Sequence, residues 1–580
     1  MMQRPTSSRK DDGLGTVAHL PQGILRSYTV GALPILNHFL QRMHLENILQ
    51  AHLPPDDRRQ KIPVAHGLLV LVKNLLLSRE PLYGLGEWAA RHDPIELGLT
   101  PEQLHALNDD RLGRGLTIFF FTDRPALILN LIHYVVAVFR LNLDELHNDS
   151  TTVTFSGAYT EAATEKSRRG QTTLAITWGH NKDHRPDLKQ LLYILTITED
   201  GGVPVYFRAA SGNVTDDGTH CANWDLLCQI AGRRDFLYVA DCKLATYDNM
   251  NYIASNGGRF VSVLPRTRKE DATFRAQLLQ GTVTWQFLWN KCDAKNKIVD
   301  RFSIQEQAMV LTEGYRLWWF HSSRKAELDL AARSHQVQRA EQKLRQWQEK
   351  LRSPRCRQRD PNKVAEAIQN ILDHYDVKEY IKVMVIERSQ ESYRQRGRGR
   401  PGPQTEYLKH VRQRLDLEYS LDSEQLTRVR RTDGVFPLVT NDKDLSALAV
   451  LHAYKGQPQI EKRFEQLKTD FVVAPIFLKD VGRIEALLAV YFLALLLEAL
   501  IERELRQAMK RAGIESLPLY PEGRPCRCPT ARRVFDLFEP IQRHTLEQAG
   551  AEPTTRVTEL TPLQRQILQL LGVPTAAYGC

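Results

Sequence analysis

Apolar residues recur at helical spacing from Pro21 to about Phe139, through Leu33, Ile35, Leu36 and Phe39, then Leu68 to Leu77, then Leu127 onward. Pro54-Pro55-Asp56 and His92-Asp93-Pro94 interrupt the pattern, so helices joined by turns are predicted. The period then changes. His147 to Phe155 alternates, and Thr172 to Trp178, Leu191 to Ile197 and Val203 to Phe207 are rich in β-formers. Thr219 to Ile230 reads as a helix, Phe236 to Ala240 as a short apolar strand, and Arg259 to Leu264 as another. Hairpin-like strands followed by strand–helix alternation predict an α/β fold, a mixed sheet with helices on its faces.

Beyond Pro265, Trp285, Trp289, Trp318 and Trp319 sit in strand-like stretches, where packing of an apolar core is their ordinary role. A long helix is predicted from about Ser323 to Leu351. Val337, Ala340, Leu344, Trp347 and Leu351 recur along it at spacings of 3 and 4, a coiled-coil-like seam. Ile381 to Ile386 reads as a strand leading into a flexible basic loop, Arg394 to Pro403. Asp433 to Asn441 returns the chain to a strand, Leu445 to Ala453 is helical, and the closing 70 residues look helical, most clearly Leu560 to Leu571.

At 580 residues the chain is too long for one core. Its 42% hydrophobic and 25% charged residues exclude a largely disordered or fibrous protein. The net charge of +10 is a mild excess, compatible with a polyanionic partner once the charge is located. Arg324 to Arg359 concentrates it, with eleven basic residues against four acidic. None of the eight cysteines forms a Cys-x-x-Cys pair, which argues against a disulfide framework and for a reducing cytosol. Cys526 and Cys528 read as surface thiols. His180 and His184 read as polar surface residues rather than a zinc pair, since no further ligands flank them. The N-terminus has no signal-peptide run, and the longest apolar run, Ala486 to Leu497, is twelve residues where a membrane span needs about 20. A soluble protein with a buried core helix is expected.

Three carboxylates stand out. Asp149 lies inside the first strand of the predicted sheet, and Asp241 at the carboxyl end of Tyr238-Val239-Ala240, where sheet proteins gather ligands. Each has an ordinary alternative: an exposed strand position for Asp149, a helix cap for Asp241. Gly456 and Pro458 end one helix and begin another, because a proline at the first helical position loses no hydrogen bond. Glu461 falls in the new first turn, and Lys468 lies two turns on along the same face. Read alone, this is an amphipathic surface helix with a Glu465–Lys468 pair.

Tyr454, Glu461 and Lys468, together with both aspartates in order, resemble the Tyr-x2-Arg-x3-Glu-x6-Lys branch of bacterial insertion-sequence transposases of the DDE type. Gly179 to Gln190, Gly202-Val203-Pro204-Val205, Tyr238 to Asp241 and Arg259 to Arg266 are similar too, so the likeness runs from about residue 145 to 500. Gln457 stands at the branch's Arg position, putting a neutral hydrogen bonder where a charged phosphate contact is the pattern.

The resemblance implies a ribonuclease H-like core in which Asp149, Asp241 and Glu461 are catalytic and hold two Mg²⁺ ions, with Mn²⁺ a substitute. Asp149 would bridge them. Glu465 is the main rival for the third place, and Asp183 and Asp187 are lesser ones. It also implies DNA contacts by Tyr454, Gln457 and Lys468. Trp289 or Trp285 would stack on a flipped base, and Arg398 in the basic loop would touch DNA. The partners implied are double-stranded DNA, as terminal inverted repeats and as target, and a second copy of the chain in a synaptic complex. No membrane is involved, and the setting is the bacterial cytoplasm at the nucleoid.

Because 92 residues separate Asp149 from Asp241 but 220 separate Asp241 from Glu461, an insertion is expected. The scheme is a disordered lead over 1–20, a helical domain over 21–140 that either binds DNA or only packs on its neighbour, core over 141–265 and 433–510, an insertion over 266–432, and a helical region over 511–580. A catalytically dead DNA-binding relic and a structure-specific nuclease on the same fold are the alternatives.

Overall fold

The computed structural model describes residues 23–579 apart from 58, 294, 306–308 and 549–550; the lead expected over 1–20 lies outside them. The chain divides into two compact units. One runs to Gly218 and takes Asp225–Arg233 and everything from Pro458 onward. The other takes Thr219–Trp224 and Arg234–Gln457.

In the first unit, eight α-helices lie between Leu33 and Phe139 among the described residues, as the helical spacing predicts. Gly23–Thr29 departs from that prediction and is a strand. It pairs antiparallel with Gln542–Gln548, which pairs in turn with Thr554–Val557, so the C-terminal region is not all helical either. The reason is partnership: a short segment takes the conformation that satisfies its backbone, and here the partner lies some five hundred residues away.

The helix Val481–Arg511 organises this unit. It packs on the helices Leu33–Arg42, Val64–Leu77, Asp109–Phe121, Ala531–Phe538 and Pro562–Leu571 and on the strand Pro204–Ser211. Its unbroken apolar run is only twelve residues, but the helix as a whole is long and apolar enough to cross a membrane; its most apolar stretch is wholly buried inside the protein, which is the core-helix arrangement.

One acid is trapped in that core. Glu498 is 2% exposed, and its Oε2 has no hydrogen-bond partner among the described residues. Burial, reinforced by the like charge of Glu502, pushes its carboxyl up to about 8. The folded state then holds a proton that the unfolded chain releases at ordinary carboxylate pH. Stability should therefore be greatest below pH about 4.5 as far as this group is concerned, and fall as pH rises toward about 8. Glu498→Gln is expected to flatten that decline and to raise stability above pH 8 by on the order of 2 kcal/mol, read by denaturant unfolding across pH.

Three antiparallel strands complete the unit: Glu145–Phe155 beside Lys189–Thr198, and Lys189–Thr198 beside Pro204–Ser211. Asp149 stands opposite Leu195. Of the β-rich stretch Thr172 to Trp178, only its start joins a strand, Gln171–Thr173, and Thr177 makes an isolated bridge to Gln190.

The second unit is built on strands Leu237–Ala240, Arg259–Val263, Val435–Thr440, Arg316–Ser322, Ile298–Gln305 and Trp285–Cys292, in that spatial order. The first two are parallel and the rest antiparallel, a mixed sheet. Gly434 (φ +76°) admits the chain into its strand: a Cβ there would lie 2.4 Å from the Ser322 carbonyl oxygen. Ser322 caps the long helix Ser323–Arg352, and Asp300 accepts from Ser322, Ser323 and the Arg324 N–H at 2.8–3.2 Å.

The predicted seam is real. Val337, Ala340, Leu344 and Leu351 are buried against the helix Pro361–His374 and the base of a β-hairpin. That hairpin overturns the flexible-loop reading of Arg394 to Pro403. Ile381–Gln395 and Tyr407–Leu421 pair over fifteen positions, and the basic stretch is only their tip. Glycine and proline at the tip mimic a linker, while the strands that hold it are polar and lack the apolar alternation of a half-buried strand.

Candidate active site

Asp149 is the fifth residue of its strand and is half-buried among buried neighbours. Its Oδ1 accepts from the Ser150 N–H at 2.7 Å and faces Lys182 Nζ at 3.3 Å. The same ammonium donates to the Ser150 carbonyl at 2.7 Å and hydroxyl at 2.8 Å, and pairs with Asp216 at 3.1 Å. Ser150 Oγ in turn donates to Asp216 Oδ1 at 2.6 Å. One lysine thus balances two carboxylates that approach it from distant parts of the sequence.

The loop that delivers Lys182 is anchored at its ends. A Cβ on Gly179 would lie 1.9 Å from the Gly212 carbonyl oxygen, so only glycine fits. Gln190 Nε2 donates to that same carbonyl at 2.9 Å. Within the loop, Asp183 accepts from Lys468 Nζ at 2.5 Å and from Thr152 Oγ1 at 3.4 Å. The Glu465–Lys468 pair expected from helical spacing is replaced by this Asp183–Lys468 pair, because residues 466–470 leave the α-helix for a π-helical turn. Asp187 is engaged by Arg185 at 2.8 and 2.6 Å and is fully exposed, so its lowered pKa reflects a surface pair.

Glu461 lies on the helix Pro458–Glu465, which begins at Pro458 as predicted. Ile460, Arg463 and Phe464 face inward, and Glu461 and Glu465 are exposed. This helix packs on the Asp149 strand and on its neighbour Lys189–Thr198, so one unit brings together the elements bearing Asp149, Glu461, Lys182 and Lys468.

Asp241, Tyr454 and Gln457 belong to the second unit. Asp241 follows its strand directly. Its Oδ1 accepts from Lys243 N–H at 3.0 Å and its carbonyl from Ser262 Oγ at 2.7 Å. It closes a turn; the next helix, Tyr247–Ser255, is capped by Thr246, which removes the helix-cap reading of Asp241. Tyr454 packs on Phe436 with ring centroids 5.9 Å apart, and Gln457 is buried at the C-cap of the helix Ala447–Gly456. Trp289 is stacked on Phe302 at 5.5 Å and meets the His452 edge at 4.8 Å, so its ring is used in the packing of the sheet. Trp285 packs edge-on to Phe274. Arg398 is exposed at the hairpin tip.

Asp149, Asp241 and Glu461 supply carboxylate oxygens alone, the donor chemistry of a hard divalent cation rather than of zinc. Among the described residues no three His, Cys, Asp or Glu side chains cluster to hold a metal. Mg²⁺ does not require such a cage, since one or two carboxylates with water and substrate phosphate usually hold it. Lys182 and Asp216 were not singled out by sequence reasoning. Lys182 lies within the family-like segment Gly179 to Gln190, the one local signal that pointed to it.

Basic charge gathers elsewhere too. A cleft between the helices Val64–Leu77 and Asp109–Phe121 is lined by Arg59, Lys61, Arg111 and Arg114, with Asp57 the one carboxylate among its described residues. On the helix Ser323–Arg352, by contrast, Arg324, Lys325, Arg333 and Arg352 are paired with carboxylates, so the basic excess there is smaller than the sequence count.

A family model described as a domain of unknown function, DUF4277, matches residues 25–133, the helical region that contains this cleft. That domain is found in transposase-like proteins. No curated protein matches the chain.

Proposed function

We propose that the chain is a DNA transposase that cuts the ends of its own insertion sequence and joins the freed 3′-hydroxyl to target DNA. The observation that carries the reading is the packing of the Glu461 helix on the Asp149 strand, two family-like elements more than three hundred residues apart in sequence. In this reading the core is ribonuclease H-like and Asp241 completes the triad. Mg²⁺ held by these carboxylates would supply charge neutralisation for phosphoryl transfer.

The chain's own side chains do the rest. Lys182 and Lys468 each hold an ammonium against a carboxylate, and a phosphate can replace Asp183 as the partner of Lys468. Tyr454 offers a hydroxyl donor. The cleft lined by Arg59, Lys61, Arg111 and Arg114 fits a duplex backbone, giving the helical module a place in end binding. Bringing two ends together implies at least two copies, acting on the nucleoid of a bacterial cytoplasm.

The test is an incubation with Mg²⁺ or Mn²⁺ and DNA bearing the element's ends. Cleaved and joined products are expected from the wild type and none from Asp149→Ala, Asp241→Ala or Glu461→Ala. End binding without cleavage identifies a relic, and cleavage without joining a nuclease. Glu465→Ala is expected to retain activity, since it lies a full turn past Glu461; a loss as deep as that of Glu461→Ala would transfer the third carboxylate role to Glu465.

A further inference from the structure

The hairpin Ile381–Gln395 and Tyr407–Leu421 does two different things along its length. Its base is covered: Ile381, Leu415 and Leu417 are buried with the helix pair. Beyond the Glu387–Leu415 pair, both strands run on through eight further pairs, about 27 Å, with almost every residue exposed. A two-stranded ribbon without a covering layer gains little stability of its own. Such a projection needs a partner.

The register identifies the partner's charge. Side chains alternate between faces, so Arg388, Gln390, Ser392 and Arg394 share one face with their cross-strand partners Arg414, Arg412, His410 and Leu408. At the base of this face, Arg388 is neutralised by Asp416 and Glu418 at 3.0 and 2.9 Å. Arg414 donates to carbonyls at the end of the helix Ser323–Arg352. Beyond them, up to the last cross-strand pair, the face has no carboxylate, and Arg394 and Arg412 make no ion pair among the described residues. The opposite face carries Glu387, Glu391 and Lys409, and Lys409 is paired with Glu391. At the tip, Arg396 is paired with Glu406 at 2.7 Å, while Arg398 and Arg400 are exposed and make no ion pair among the described residues.

We infer that this arm is a DNA-binding ribbon that lays its Arg394–Arg412 face and its Arg398–Arg400 tip along the phosphates of a duplex, without sequence preference. A two-stranded ribbon fits the major groove, and cations segregated onto one face match a polyanion better than the mixed charge of a protein surface. The inference deepens the transposase reading and rests on it for the presence of DNA. It assigns the contact to one face of an ordered element rather than to a loop.

The test is binding of the full-length protein to a random-sequence duplex without divalent cation, followed against salt. Each phosphate contact adds about 0.9 to the slope of log affinity against log salt. Arg394→Gln with Arg412→Gln should lower that slope by about 2 and weaken binding at least about tenfold near 0.1 M salt. Arg398→Gln with Arg400→Gln should do the same, and Glu391→Gln with Lys409→Gln should leave both quantities unchanged. Wild-type slopes in the two arginine variants would overturn the inference. So would a wild type that binds no duplex, or a loss of self-association at unchanged DNA affinity, which would make the arm a protein contact. If the wild type cuts no DNA but the slopes change, the transposase reading fails and the arm stands. If it cuts and joins while the slopes stay fixed, the arm alone fails.

Discussion

On the transposase proposal, Asp149→Asn is expected to bind DNA ends and leave them uncut. The substitution keeps shape and one acceptor, so the amide oxygen can still take the Ser150 N–H that Asp149 Oδ1 takes at 2.7 Å. What it removes is a negative charge. Beside a divalent cation held as proposed, that charge would contribute most while the phosphoryl group is in transit, so the loss would fall on the rate rather than on end binding. A fall of at least about 10³-fold is expected, equivalent to about 4 kcal/mol of transition-state stabilisation. Folding should be little affected, because Lys182 keeps Asp216 at 3.1 Å and the Ser150 carbonyl at 2.7 Å.

Single-turnover cleavage beside equilibrium end binding separates the two. A variant within tenfold of wild type would remove Asp149 from the chemistry. Asp216→Asn is the informative companion, since Asp216 shares Lys182 with Asp149 and Asp149 alone belongs to the proposed triad. An Asp216 variant as inactive as Asp149→Asn would bring the whole Lys182 cluster into the reaction.

Local pattern was enough to find the elements that carry chemistry. The alternation through His147 to Phe155 gives the strand, the Gly456–Pro458 break gives the start of the Glu461 helix, and the apolar run at Ala486 gives the core helix. Each depends on residues within a few positions of one another. What was missed depends on distant ones. Gly23–Thr29 is a strand because Gln542–Gln548 lies beside it, and Lys468 pairs with Asp183 because two elements meet in space. The arm failed for a different reason. Its strands are exposed on both faces, so the apolar alternation that marks a strand is absent where its charged tip is most conspicuous. Asp216 lies between the predicted strand ending at Phe207 and the predicted helix from Thr219, and its role beside Lys182 needed the fold.

The helix that presents Glu461 is held by Arg463, and replacing that arginine should be the most damaging change outside the carboxylates. Arg463 is 4% exposed. Its Nε donates to the Gly202 carbonyl at 2.8 Å, Nη2 to the Gly201 carbonyl at 3.1 Å, and Nη1 to Gln466 at 2.7 Å and Glu502 at 3.0 Å. The two glycines adopt φ +84° and +63° in the turn between neighbouring strands, so their carbonyls are fixed acceptors. Glu502 is 3% exposed on the core helix. Arg463→Met therefore leaves buried Glu502 with Arg506, at 3.3 Å, as its remaining cation and leaves two carbonyls without a donor, at a cost of roughly 2–4 kcal/mol. Because a chain of two units need not unfold in one step, hydrogen exchange at residues 458–470 is the proper readout. Protection should fall there first, and cleavage should fall with it as Glu461 loses its seat on the Asp149 strand. Arg463→Lys, which keeps the charge but not the planar fork, should recover part of both. Arg463→Met with Glu502→Gln should be less damaging than Arg463→Met alone, since the buried charge that has lost one of its two arginines is then removed. Unchanged protection in Arg463→Met would show that the helix is seated by Ile460 and Phe464 without the ion pair.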